Sequence, residues 1–408
     1  MKTLFKVSQQ TIWQLVGKII STISTFFILG LITRIYGEEG TGIFTLTLAY
    51  LAFFFLAADL GLNAYILPKL TPAADEANKL FGFRLVWSCL LVILANVIAL
   101  FLPNSNPVFI YSVFFGSFII ILSGVFNSTN LIFQKNLRYD QSIIASSVGS
   151  IFVIPVVVVL SSLNSPIVLL ILGPLAGWVV NNLVAVLLAR RLHNFKLAIP
   201  PLSYPFNILK EAWPISAALF LNTVYFRLDS FIISAYHSFV EVGIYNVAYQ
   251  VFQTALVIPT FIMNSYYPIM LQLLEENKVK FIKQLKVVGV SLFGLSLIGT
   301  LFTWILAPTI IQLLSGTGFE GSEESLRILS LSFPAFFLTA LIMWLFISLK
   351  KYKLMLVIYS VGLIFNIILN LIFIPQYSYY AASWATVLSE YLILSLQLII
   401  LKPLLFRR

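Results

Sequence analysis

Long apolar runs, separated by short clusters of charged, Pro, Asn and Ser residues, recur along the whole chain. They read at 12–34, 43–67, 85–102, 108–133, 143–163, 167–189, 215–236, 244–270, 287–306, 328–349, 354–374 and 380–401. Each is close to the ~20 apolar residues that an α-helix needs to cross a hydrocarbon core ~30 Å thick. A helix is also the element that satisfies its own backbone in that solvent. The pattern predicts an all-α integral membrane protein with about twelve transmembrane helices.

Composition agrees. Of 408 residues, 60% are hydrophobic and 10% charged, against about 25% charged in soluble domains. A soluble globular enzyme is excluded. The single Cys89 rules out an intrachain disulfide or a cysteine-based metal cluster, two histidines make a His-based site equally unpromising, and no cofactor is expected. The N-terminus has early lysines, but no small-residue cleavage site follows a short apolar core, so the first span is expected to be retained.

Net charge is +10, yet no basic run interleaved with aromatics suggests a nucleic-acid partner. The cations sort by connection instead. The even connections and the two ends carry 21 of the 25 Lys and Arg residues, whereas the odd connections hold only Arg34 and Arg327. By the positive-inside rule both termini and every even connection face the cytoplasm of a cell membrane.

The longest even connection, about 190–210, carries Pro200, Pro201 and Pro205 and divides the chain into bundles at 1–200 and 201–408. An internal repeat supports two halves. Gly42-Ile43-Phe44 with Ala49-Tyr50 is echoed about 200 residues later by Gly243-Ile244-Tyr245 with Ala248-Tyr249, and Asn63-Ala64-Tyr65 with Pro68 by Asn264-Ser265-Tyr266 with Pro268. Halves with even span counts are parallel repeats.

The odd connections are short, leaving no external domain for paired catalytic groups, and no Gly-rich phosphate loop occurs. Both observations weaken an enzyme, such as a membrane-embedded polysaccharide polymerase, and favour passive or ion-coupled movement of a solute or lipid.

The stretch Gly30 to Tyr50 with Asp59-Leu60-Gly61-Leu62, followed in the second half by Arg227-Leu228-Asp229 and Gly243-Ile244-Tyr245, resembles Wzx-type polysaccharide flippases. These belong to the multidrug/oligosaccharidyl-lipid/polysaccharide exporter superfamily. The resemblance implies two pseudo-symmetric six-helix bundles around a central cleft. It also implies alternating-access transfer of a polyprenyl-pyrophosphate-linked oligosaccharide from the cytoplasmic to the outer leaflet, with membrane lipids and an assembly polymerase as partners. The alternative within the superfamily is an ion-coupled multidrug or metabolite antiporter.

Charges inside spans mark sites by default. Counting 1.5 Å per residue from Ile215, Arg227 lies roughly 18 Å into the core, and a guanidinium there suits pyrophosphate; the alternative is a salt bridge to another span. Lys18, Arg34 and Arg84 are further candidates for the cleft, with interfacial anchoring as the plainer reading. Glu390, near the middle of span twelve, suits ion coupling or a structural hydrogen bond. Asp229 is expected in an arginine network or an interhelical ion pair, and Asp59 in a cleft network or a helix-end contact to the Lys69 region.

Overall fold

The computed structural model describes residues 2–67, 76–102, 106–192, 197–198, 200–201, 203–276 and 278–406. Among these residues there are fourteen helices and no strand. Two helices, α1 (Lys2–Asp59) and α14 (Tyr352–Phe406), contain 58 and 55 residues. At 1.5 Å per residue each is more than twice as long as a ~30 Å core is thick. Each is interrupted by one non-helical residue, Gly37 (φ 62°, ψ −161°) in α1 and Ser378 (φ 50°, ψ −133°) in α14. Side chains tie the neighbourhood of each break to a connection of the same half. Tyr36 Oη donates to Ser165 O at 2.8 Å, and His237 Nε2 lies 2.7 Å from Ile374 O.

The other spans of the first half are α3 (Glu76–Ala99), α4 (Pro107–Lys135), α5 (Tyr139–Ser162) and the pair α6 (Ile167–Leu170) and α7 (Leu172–Leu192), with α2 (Leu62–Ile66) continuing span two. The second half contains α8 (Ser203–Tyr236), the pair α9 (Phe239–Ala255) and α10 (Val257–Glu276), and α11 (Lys278–Ser315). It is completed by α12 (Glu320–Ser330), bent by 46° against α13 (Phe333–Ser348), and by the two arms of α14. Eight of these helices are long and apolar enough to cross a membrane, nine with the bent pair α12–α13 counted as one span. Counting each arm of α1 and α14 and each pair once, the described residues form twelve helical segments, the number that the apolar pattern predicts.

Helix ends and interiors follow local chemistry. Asn106 caps α4, its Oδ1 accepting from Phe109 N at 2.7 Å with Pro107 in the first turn. Ser238 and Glu241 form a capping box on α9. Many hydroxyls inside spans donate to their own helix, as where Thr41, Thr45 and Thr47 donate to the carbonyls four residues earlier.

Packing divides the chain into two units, Met1–Arg227 and Leu228–Arg408. The division falls inside α8 and not in the proline-bearing connection near residue 200. The reason is the packing of the first half of α8. Ile208 and Ala212 share an apolar cluster with Leu62, Ile66, Leu80, Phe83 and Leu131, and Phe220 meets Phe53 with ring centroids 6.3 Å apart. Elsewhere in the first unit α5 and α7 cross closely at Gly149 and Gly177. A Cβ on Gly149 would lie 2.6 Å from Gly177 O, so small residues set this approach. In the second unit Phe252 stacks on Phe333 at 5.6 Å and 7° and meets Phe336 edge-on.

Candidate functional site

Among the described residues, each unit buries a cluster of hydrogen-bonded polar side chains between its apolar helices. In the first unit it forms where span two breaks. The helix stops at Asp59, and Leu60 (φ 51°) and Gly61 (φ 64°) adopt left-handed conformations before α2 begins. Such a break frees carbonyls that a continuous helix would satisfy, and in hydrocarbon they need other donors. Neighbouring helices supply them. Trp87 Nε1 donates to Ala57 O at 2.8 Å, Arg84 Nη2 to Asp59 O at 3.2 Å, and Ser216 Oγ to Leu60 O at 2.6 Å.

The same guanidinium holds the Asp59 carboxylate, Nη2 to Oδ1 at 2.9 Å, and Nη1 donates to Asn63 Oδ1 at 2.9 Å. Asn63 Nδ2 in turn donates to Asn127 O on α4 at 2.9 Å. Arg84 has no exposed side-chain surface, whereas the Asp59 side chain is 30% exposed. The position of Arg84 therefore corrects the headgroup-anchor and cleft-mouth readings: its charge is spent on a carboxylate and on the negative end of α1. Asp59 meets Arg84, and Lys69, its alternative partner, lies outside the described residues.

In the second unit the centre is Asp229 on α8, which is 2% exposed. Its carboxylate accepts from three other spans: Tyr245 Oη on α9 at 2.7 Å, Asn370 Nδ2 on the first arm of α14 at 2.6 Å, and Thr386 Oγ1 on the second arm at 3.2 Å. Asn370 Nδ2 also donates to Asn366 Oδ1 at 2.9 Å, and Ser230 Oγ donates to Asn246 Oδ1 at 2.7 Å. The partners of Asp229 are hydroxyls and amides, not the arginine or ion pair expected from the sequence. One oxygen, Asn370 Oδ1, is buried without a donor. Carboxylate, amide and hydroxyl oxygens of this kind suit a proton or a hard cation.

Glu390, 2% exposed on the second arm of α14, accepts from Thr339 Oγ1 on α13 at 2.6 Å. Arg227 is half-buried two residues before Asp229, and such positions point to different sides of a helix. Lys18 and Arg34 are exposed on α1. The structure thus brings Arg84 and Asp59 together and leaves Asp229 and Glu390 in separate hydrogen-bonded settings.

Sequence reasoning missed Asn63, Trp87 and Ser216 in the first centre and Asn366, Asn370, Tyr245 and Thr386 in the second. One signal was available. Asn366 and Asn370 stand at i, i+4 in an apolar run, so they share a helix face, and polar side chains in a span seek partners on other helices. Tyr245 lies in the repeated Gly-Ile-aromatic motif, whose first copy ends in Phe44 and has no hydroxyl.

The model of a polysaccharide biosynthesis protein family matches residues 7–274. The chain belongs to that family. Its fold is that of the exporter superfamily which the sequence resembles, and the MatE family model matches residues 214–372. Among solved structures, the lipid II flippase MurJ in an inward closed conformation is similar with TM-score 0.75 and 15% identity, over 96% of this chain and 87% of that one. An inward-facing multidrug resistance MATE family transporter of the MOP superfamily is similar with TM-score 0.74 and 14% identity, over 94% of each chain. A MOP superfamily transporter from Pyrococcus furiosus, described as having a binding pocket of reverse polarity, gives TM-score 0.63 and 12% identity over 98% of this chain and 96% of that one. No match was found among curated protein sequences.

Proposed function

We propose that this protein is a flippase of the cell membrane. It moves a polyprenyl-pyrophosphate-linked oligosaccharide from the cytoplasmic to the outer leaflet during surface polysaccharide assembly, by alternating access. The observation that carries this reading is the family match over residues 7–274, and the fold shared with a lipid II flippase agrees with it. The charges supply a rationale. Arg227, half-buried in the apolar interior of α8, would meet the pyrophosphate, because a guanidinium binds phosphate oxygens bidentately and stays charged. Lys18 and Arg34, both exposed, would attract the same anion. Arg84 and Asp59 would hold the broken span in shape. The Asp229 centre, with its unused amide oxygen, and Glu390 would carry ion coupling.

The test is leaflet exchange of a fluorescent polyprenyl-pyrophosphate oligosaccharide in proteoliposomes, with and without a pH gradient. Wild-type protein should accelerate exchange. Arg227→Ala should slow it by about tenfold or more, the scale of one hydrogen bond to a charged group, and Arg227→Lys should restore part of the rate. Exchange equal to that of protein-free vesicles would refute the flippase reading. One observation favours a second reading, an ion-coupled antiporter: the MatE model matches residues 214–372. Dye export without lipid exchange would establish it.

A further inference from the structure

A groove of about 620 Å³ runs along the second unit between α12 and the two arms of α14. Its floor is made of small or buried residues, Ala381, Ala385 and Ile328. Its walls are large exposed ones, including Phe373, Trp384 and Leu388, which are 43%, 45% and 47% exposed. The groove lies on the outside of its bundle. On the second arm of α14, Trp384 and Leu388 are each two residues from Thr386, the donor to Asp229, so they point away from that centre.

Polarity along the groove is ordered. Glu324, Tyr377 and Tyr380 lie at one end, beside the break at Ser378, and Leu369, Ala385 and Leu388 lie at the other. Lys350, Lys351, Lys353 and Lys402 mark the opposite ends of the two α14 arms. The break therefore sits at the membrane edge away from the basic connections. From Ser378 to Leu388 is ten residues, or roughly 15 Å at 1.5 Å each, half of a ~30 Å core. The groove is as deep as one leaflet, polar at the surface and apolar inward.

We propose that this groove is a binding site for one phospholipid of that leaflet, with an acyl chain over Ala381 and Ala385 and a primary-amine headgroup at Glu324. Charge selects the headgroup. Glu324 is exposed and makes no ion pair among the described residues. The nearest cation on its helix, Arg327, is turned to Trp304 O, which accepts from its Nε at 3.1 Å. An ammonium complements this carboxylate, whereas an anionic headgroup or a polyprenyl pyrophosphate is repelled by it. The site is thus distinct from the proposed transport substrate, and its existence does not depend on the flippase reading.

The groove contains its own reporter. Tryptophan quenching by phospholipids brominated on the acyl chain, in nanodiscs, isolates Trp384 as the difference between wild type and Trp384→Phe. The expected result is saturable quenching of that component by brominated phosphatidylethanolamine, with brominated phosphatidylglycerol requiring a higher mole fraction. Glu324→Gln should narrow the preference by about two- to fivefold, the range of an exposed ion pair. Ala385→Leu should abolish saturation by filling the floor, with gel-filtration behaviour checking that the variant folds. Quenching that rises linearly with mole fraction and equally for both lipids would overturn the proposal, as would a preference unchanged by Glu324→Gln.

Discussion

Arg84 grips Asp59 twice with one nitrogen: Nη2 lies 2.9 Å from the carboxylate and 3.2 Å from the backbone carbonyl of the same residue. One side chain thus neutralises a charge and ends a helix. Removing a single partner of a buried pair costs about 3–5 kcal/mol, while replacing both by apolar residues can be nearly neutral. The partial exposure of Asp59 lowers the first figure, to about 2–3 kcal/mol. Arg84→Leu is therefore expected to lower the thermal midpoint in detergent clearly, and Arg84→Leu with Asp59→Leu to recover part of the loss. Additive losses in the double variant would show that the pair is not coupled.

The two other donors at this break make a milder, separable contribution. Ser216→Ala and Trp87→Phe each leave a carbonyl of the broken span without its donor, a cost of about 1–3 kcal/mol. Trp87 also packs against Phe83, with rings 6.3 Å apart and nearly parallel, and Phe keeps most of that contact. Both variants should unfold below wild type but above Arg84→Leu. A Ser216→Ala variant as stable as wild type would mean that Leu60 O finds another donor.

The sequence made the spans legible because lipid imposes one demand on every spanning segment, a long apolar stretch with an internally bonded backbone. Arg84 and Asp59 were legible as charges but not as a pair. They belong to different helices, and one acceptor of the guanidinium is a carbonyl, which every residue has and no residue type announces. The unit boundary escaped for a similar reason. Prolines near residue 200 mark a connection, whereas the packing of Ile208, Ala212 and Phe220 assigns the start of α8 to the first unit. Asn366 and Asn370 were visible as a spacing, yet only folding brings them to a carboxylate more than a hundred residues earlier.

The α5–α7 crossing offers a test of packing alone. A Cβ on Gly149 would lie 2.6 Å from Gly177 O and 2.7 Å from Asn181 Cβ, below any ordinary contact distance. Backbone and Cβ atoms cannot swing aside, so Gly149→Ala must push the helices apart. Overpacking of this kind costs about 1–3 kcal/mol, and Gly149→Val should cost more. Thermal unfolding in detergent would measure both. A neutral Gly149→Ala would show that the crossing has slack.

The Asp229 centre makes an ordered prediction, because its three donors differ in geometry and its acceptor is shared. Asp229→Asn keeps the shape but turns one oxygen into a donor facing hydroxyl and amide donors, so it should be the most destabilising change. Tyr245→Phe removes a 2.7 Å bond and Thr386→Val a 3.2 Å one. Each leaves the carboxylate partly unsatisfied, at about 1–3 kcal/mol, with the longer bond at the lower end. The expected order of thermal midpoints is Thr386→Val above Tyr245→Phe above Asp229→Asn. Stability alone does not separate a structural carboxylate from a coupling one, so the same variants belong in the proteoliposome exchange assay. If Asp229 carries coupling, Asp229→Asn should remove the response to an imposed ion gradient, while Thr386→Val should retain it. An Asp229→Asn protein that folds and still follows the gradient would move the coupling role away from this centre and toward Glu390.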